Sequence, residues 1–290
     1  MRRDRLVLGH GRMGLSIGET QHNGGPTTSP GPALCCPGPP TARRDLPDTL
    51  LSDEHLRSLN DRFGSADPRE IVRWALLHSG LQRIAIASAF QAEGTCVIHM
   101  ATAIRPDVPI LFLNTGFHFA ETLAFKEQLT ERLGLNVVEL VGAHTVESQT
   151  EELGPRLYER DPDRCCHINK VEPMLEALRG LDAWVTAFRR DSSPTRANAP
   201  IVDRYELEPG RFIVKVNPVA TWARRDAWAY LRENDLPHNP LYDLGYASIG
   251  CAPCTRLQLP GEPERAGRWA GLSKWECGIH ERESRSNPAP

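Results

Sequence analysis

A chain of 290 residues is long enough for one large domain or two small ones, and for a sizeable buried core. Its apolar fraction of 40% and formal net charge of −3 are those of an ordinary soluble protein and give no push toward nucleic acid or membrane. No apolar run approaches the ~20 residues that span a bilayer, and the opening MRRDRLVLGHGRMGLSIG is broken by Gly, His and Arg, against a secretory leader.

A cytoplasmic location is therefore expected. Eight cysteines there point to metal binding or catalysis before disulfides. The only lysines are Lys126, Lys170, Lys215 and Lys274, so most cationic recognition falls to arginine, which grips phosphate and sulfate bidentately.

In chain order, residues 1–47 contain GGPTTSPGPALCCPGPPTARR, too rich in Pro, Gly, Ser and Thr to build a core. A disordered tail is expected, or an over-extended start with Met13 as one alternative. Cys35 and Cys36 lie in it without ordered context and are read as incidental. A folded domain over 48–270 should follow. LSDEHLRSLNDRF carries a helix cap and helical apolar spacing, and DPREIVRWALLHSG continues likewise to a stop at Gly80. RIAIASAF (83–90) reads as a buried strand, AEGTCVIHMATAI as a helix, VPILFLN (108–114) as a second strand. FAETLAFKEQLTERLG predicts a helix ending on Gly134, and NVVELV (136–141) a third strand. CCHINKVEPMLEALRG is helical in part, with Pro173 disturbing its first turns. AWVTAF (183–188) and RFIVKVNP (211–218) are strands four and five, and TWARRDAWAYLREN is a helix. This alternation predicts an α/β fold with a doubly wound, mostly parallel sheet; no internal repeat is visible.

In such sheets ligands bind beyond the carboxyl ends of the strands. Three loops fall there: SAFQAEG (88–94), NTGFHF (114–119) and RRDSSPTR (189–196). The first enters a helix N-terminus, where backbone N–H groups favour an anion. A nucleotide bearing phosphate or sulfate fits such a crevice.

RCCHINK places Cys165 beside Cys166, and GCAPCT adds Cys251 and Cys254 as a C–x–x–C pair. Adjacent thiolates strain a single tetrahedral zinc site, whereas a 4Fe–4S cluster offers four separate irons; by spacing, cluster, zinc and redox pair all stay open. Cys96, among apolar neighbours, is a structural thiol. Cys277, in KWECGIH within a C-terminal tail (271–290), is a candidate nucleophile: Lys274 and His280 favour its thiolate and Glu276 opposes it.

RCCHINKVEP, GYASIGCAPCT and KWECGIH, in this order and spacing, resemble the signatures of bacterial assimilatory adenosine 5′-phosphosulfate (APS) reductases over roughly residues 50–281. The resemblance implies an adenine-nucleotide alpha-hydrolase-like fold with a mobile C-terminal tail. It implies reduction of APS to sulfite and AMP with thioredoxin as electron source, in sulfate assimilation. Relatives acting on 3′-phospho-APS (PAPS) lack the four paired cysteines, so their presence favours APS, with a PAPS or dual reductase as the alternative. Carried over, Cys165, Cys166, Cys251 and Cys254 would hold a 4Fe–4S cluster, and Cys277 would form an S-sulfocysteine. Lys170 would lie between cluster and substrate. Arg265 and Arg268 would bind the phosphosulfate, with Arg189 and Arg190 in a further basic loop. Ser88 would face the nucleotide and His280 would position or protonate. Asn114 stands where many relatives have Asp. Relatives act as dimers or tetramers, so a homo-oligomer is expected.

Two other classes were weighed against the residues. A nucleotide-activating sulfur transferase such as a tRNA thiolase needs an SGG-type loop, which SAFQAEG is not. An iron–sulfur sensor needs a DNA-binding element, and no helix-turn-helix signal or basic stripe is visible.

Overall fold

The structure is a computed structural model that describes residue 46 and residues 50–280. The expectations for the first 45 residues, Cys35 and Cys36 included, and for residues 281–290 lie outside the described residues.

Local signals act where the sequence places them. Ser52 caps helix α1 (Asp53–Phe63) by accepting from the His55 N–H at 3.2 Å. Asp67 caps α2 (Pro68–Arg73), whose first residue is proline, the position where a missing N–H costs nothing. Helix α4 (Ala120–Leu133) stops at Gly134, which takes the left-handed conformation at φ 61° that a side chain would resist.

The strands are β1 (Ile84–Ala87), β2 (Pro109–Asn114), β3 (Asn136–Val141), β4 (Ala183–Val185), β5 (Val202–Glu208) and β6 (Arg211–Val216). They form one sheet in the order β3-β2-β1-β4-β6-β5. All neighbours run parallel except β5, which pairs antiparallel with β6 at the edge. The chain winds outward from β1 to β3, then crosses to the other side of β1 to lay down β4. That switch point opens a crevice at the carboxyl ends of β1 and β4.

Strand alternation divides the core. Ile84 and Ile86 point to one face with Phe63, Ile71, Val97, Phe125 and Leu231, from α1, α2, α3 (Ala92–Thr102), α4 and α9 (Arg224–Glu233). Ala85 points to the other face with Trp184, Tyr205, Ile213 and, from α8 (Glu172–Leu178), Met174 and Leu178. Ile279 belongs to this second core. Among the described residues no helix is long and apolar enough to cross a membrane.

The doubly wound sheet is as expected, with three differences. The first and fourth strands end at Ala87 and Val185, earlier than their apolar runs, because residues after them turn off the sheet to build the crevice; Phe90 is buried there with φ 52°. Strand β5 was not expected at all. After the short helices α5 (Val146–Leu153) and α6 (Leu157–Arg160), the segment 165–180 is helical almost throughout: α7 (Pro162–Cys166) passes through a wider π-type turn, His167–Val171, into α8. Pro173 sits in the first turn of α8, behind the wide turn, and does not break the helix.

Candidate active site

A cavity of about 220 Å³ fills the crevice, and all three expected loops line it. Ser88, Gln91 and Glu93 come from the loop after β1 and the start of α3; Leu113 and Thr115 from the end of β2; Phe188, Arg189, Ser192 and Arg196 from the loop after β4. The far wall is the C-terminal region: Arg265, Arg268, Trp269, Glu276, Cys277 and His280. The Gln91 side chain accepts from the Ile249 N–H at 3.1 Å, and the Ala252 N–H donates to the Phe117 carbonyl at 2.7 Å. These bonds fasten the C–x–x–C segment to the first two loops.

The arginines differ sharply. Arg265 is buried, gives one N–H to the Trp275 carbonyl at 2.7 Å, and keeps its Nε without a partner. Burial, with Arg196 and Arg268 nearby, pulls its pKa down to about 10. Arg268 donates to the Ile249 carbonyl at 3.0 Å, lies over the Trp269 ring and also has an unpartnered Nε. Its guanidinium occupies the space beside Gly250, where an added Cβ would come within 2.1 Å, so only glycine leaves that room. Two buried guanidinium donors with no acceptor, in one cavity, are an anion-seeking arrangement.

Arg189 is also buried but already neutralised. It bonds Glu93 at 2.8 Å and Glu264 at 2.7 and 2.9 Å, and pairs with Asp191. Burial would lower its pKa, and Glu93 and Glu264 outweigh that. Arg190 does not reach the cavity: its Nε holds the Ala199 carbonyl at 2.7 Å and shapes the loop. Ser88 lines the cavity while its hydroxyl accepts from the Phe90 N–H at 3.0 Å. Asn114 turns to Glu139, 3.0 Å away, and leaves the cavity to Leu113 and Thr115.

The four paired cysteines meet. Cys165, Cys166, Cys251 and Cys254 line one small void of about 10 Å³ with Thr115, Asn169 and Lys170. All are reduced. Asn169 Nδ2 lies 3.6 Å from Cys165 Sγ, and Thr115 Oγ1 lies 3.4 Å from Cys251 Sγ. Burial and the neighbouring thiols push Cys165 up to about 12, and burial pushes Cys254 to about 11. Cys251 goes the other way: burial would raise it, but Lys170, the Thr115 hydrogen bond and Arg268 favour its thiolate. Lys170 responds in kind: burial would lower its pKa, and the charges of Cys251, Cys166 and Cys277 raise it. Among the described residues no three His, Cys, Asp or Glu side chains stand so as to hold a single metal ion. Thr115, Lys170 and Cys251 line this void and the large cavity alike and form the wall between them.

Cys277 is half-buried in the cavity wall. The segment through His280 is seated on the sheet. Tyr205 Oη donates to the Ile279 carbonyl at 2.8 Å, and the His280 ring stacks on Trp184 at 5.4 Å. Burial, then Lys215, Arg196 and Arg265, hold the His280 pKa well below the ordinary value, so this ring is neutral near pH 7. A neutral imidazole among cations neither supplies a proton readily nor stabilises a thiolate as a cation. The ring packs on Trp184 and Phe188 in the cavity lining, and its Nδ1 has no hydrogen-bond partner.

Residues 83–257 match the phosphoadenosine phosphosulfate reductase domain. The chain belongs to that family. It is 44% identical over 231 residues to the adenosine 5′-phosphosulfate reductase of Streptomyces coelicolor, covering 78% of this chain and 95% of the relative. The corresponding protein of Bacillus subtilis is 43% identical over 212 residues, covering 73% and 89%. Among solved structures, a PAPS reductase from Candida auris in a phosphate complex superposes with a TM-score of 0.61 at 28% identity, covering 71% of this chain and 98% of that one.

Of the reductase-type residues expected from the sequence, the structure gathers Ser88, Lys170, Arg189, Arg265, Arg268, Cys277 and His280 around one cavity and leaves Arg190 outside. Two residues were missed. Arg196 and Glu276 face each other in the cavity wall at 2.7 Å. From the sequence alone Glu276 is only an unfavourable charge beside Cys277. Its carboxylate is in fact compensated: burial would raise its pKa, and Arg196 and Arg265 lower it. Nothing in the local sequence marks that pair, whose members are 80 residues apart.

Proposed function

We propose that the chain reduces adenosine 5′-phosphosulfate to sulfite and AMP in sulfate assimilation, with Cys277 as nucleophile and a protein dithiol of the thioredoxin type as reductant. The observation that carries this reading is the meeting of Cys277 with the unpartnered donors of Arg265 and Arg268 in one cavity. The curated relatives at 42–44% identity are named for APS, which supports that substrate over PAPS.

The chemistry follows from charge. The Cys277 thiolate attacks the sulfur of the sulfonate. An S–S bond forms, the bond to the phosphate oxygen breaks, and AMP leaves with that electron pair. Bringing a thiolate to an anion is repulsive. Arg265, Arg268 and Lys170, which line the cavity, offset that charge. A reductant thiolate then attacks Cys277 Sγ, sulfite leaves with the bonding pair, and the second reductant thiol resolves the mixed disulfide. The dithiol thus supplies both electrons and Cys277 is regenerated.

The donor set fits a 4Fe–4S cluster better than one ion. Four thiols line one void, two of them are adjacent, and Asn169 and Thr115 sit at hydrogen-bonding range of sulfur. Cys165, Cys166, Cys251 and Cys254 would hold it, and when bound it adds a fixed charge beside Lys170. Unpaired thiols agree with a cytoplasmic setting.

The test is intact mass of anaerobically purified protein after exposure to APS or PAPS without reductant. Gain of one SO₃ group on Cys277 with APS, absent in Cys277→Ser, is the expected result. No gain in protein that retains its visible cluster absorbance rejects the covalent route, and equal gain with PAPS rejects the selectivity.

A further inference from the structure

The loop after β4 was expected to contact substrate through its two leading arginines. Its far end does something else. Arg196 grips both oxygens of Glu276: Nε to Oε1 at 2.7 Å and Nη2 to Oε2 at 2.7 Å. Ser193 and Thr195 of the same loop add hydroxyl donors to Oε1 at 3.2 and 3.1 Å, and Arg265 stands 3.4 Å from Oε2. Only 6% of the Glu276 side chain and 13% of that of Arg196 is exposed, so the pair is not a surface ion pair of small worth. The Arg196 guanidinium also lies 4.2 Å from the centre of the Phe188 ring, and Phe188 meets the His280 ring edge-on at 4.9 Å.

Cys277 is therefore clamped from both sides. One residue before it, Glu276 is bound by the loop. Two and three residues after it, Ile279 enters the core and His280 stacks on Trp184 and Phe188. Gly278 between them takes φ 92°, a conformation that lets the chain turn from one anchor to the other. On the C-terminal side the Ile279 side chain is an apolar anchor, and one hydrogen bond, from Tyr205 Oη to the Ile279 carbonyl, holds the backbone at 2.8 Å. The bidentate pair fixes both distance and angle.

We propose that residues 192–196 form the receptor for the Cys277-bearing segment, and that Glu276, through Arg196, is the positioning residue that sets the Cys277 thiol in the cavity. Glu276 touches neither substrate nor the reacting sulfur in this scheme. It acts by holding its neighbour where the sulfonate arrives. The inference rests on Cys277 being the nucleophile. Its test separates the two claims by using a second reagent that does not need the substrate site.

The protein, purified anaerobically with its cluster, is compared with Glu276→Gln, Arg196→Met and the double variant. Two rates are read at Cys277 by peptide mass: sulfonation by APS in a single turnover, and alkylation by iodoacetamide without APS. Cluster absorbance and the thermal midpoint confirm that each variant is folded. Loss of the clamp moves the two rates in opposite directions. Sulfonation should fall at least about tenfold while alkylation rises several-fold, and the double variant should be no worse than either single one. If Glu276 only disfavoured the thiolate, both rates would rise together in Glu276→Gln, and the proposal is overturned. Unchanged alkylation in both single variants also overturns it. Failure of the unaltered protein to sulfonate refutes the functional reading instead, and the alkylation comparison still decides the clamp.

Discussion

Arg189 and Arg265 carry the same charge into the same cavity, yet their surroundings assign them opposite tasks. Arg189 is ringed by Glu93, Asp191 and Glu264, and its side chain is 1% exposed. Arg265 sits among other arginines with an unpartnered Nε. The first holds the wall together and the second waits for an anion. Replacing Arg189 by Ala strands two half-buried carboxylates, Glu93 and Glu264, the second already pushed up by burial. That variant should lose about 3–5 kcal/mol of stability by chemical denaturation. Arg265→Ala relieves crowding with Arg196 and Arg268 but gives up the Trp275 carbonyl bond and the 3.4 Å contact with Glu276, so it should cost about 1–2 kcal/mol, less than Arg189→Ala, while KM for APS rises at least about tenfold. Equal loss of stability in both variants rejects this division. The local spelling did not reveal it. FRRDSSPTR displays three arginines alike; Glu93, Glu264 and Glu276, which engage Arg189 and Arg196, lie 75 to 96 residues away, and Arg190 turns to Ala199, nine residues on.

Between elements, the sheet is pinned at its other end by Asp182. Its Oδ2 accepts the N–H groups of Gln82 at 3.1 Å and Arg83 at 2.9 Å, and Oδ1 binds the Arg83 guanidinium at 2.7 Å. Asp182 precedes β4 and Arg83 precedes β1, so this carboxylate registers the two strands that flank the crevice. Burial would raise its pKa, but the Arg83 and backbone hydrogen bonds lower it overall. A carboxylate depressed in the folded state stabilises above its unfolded pKa of ~3.9, and that contribution drains away as pH falls through the folded value. Asp182→Asn should therefore cost about 1–3 kcal/mol at pH 7, and the gap to the unaltered protein should narrow as denaturation is followed below about pH 4. A gap independent of pH contradicts the assignment. Elements of this kind were partly legible. The buried central strands read directly from their apolar runs, because both faces are covered. Edge strand β5 did not. Its apolar residues alternate with charges, as in YELE, and only the Pro209–Gly210 turn, with Gly210 at φ 79°, signals the hairpin to β6.

Across the whole molecule, two compartments share one wall. The larger of these, the cavity lined by Cys277, and the four-cysteine void both border Thr115, Lys170 and Cys251. The sequence showed the two cysteine pairs and the C-terminal cysteine, whose order is a matter of spelling. It did not show that they share a wall, because that depends on how the C–x–x–C segment is tied to the first two loops through Gln91 and Phe117. Lys170 is the cation on that wall, and three thiols on two sides of it raise its pKa. An ammonium so placed lowers the cost of negative charge in either compartment. In the proposed sulfonation of Cys277 its benefit grows as charge gathers on the transferring group, so removing it should slow the chemical step more than it weakens binding. Lys170→Ala is expected to lower the single-turnover sulfonation rate of Cys277 by about 10²–10³, with the APS concentration for half-saturation changed far less. Loss confined to binding would make Lys170 a plain substrate contact. Loss of the cluster absorbance with no effect on a cluster-replete fraction would confine it to the cysteine void. A fall in rate at retained absorbance leaves the shared wall as the means by which the four cysteines act on chemistry that none of them touches.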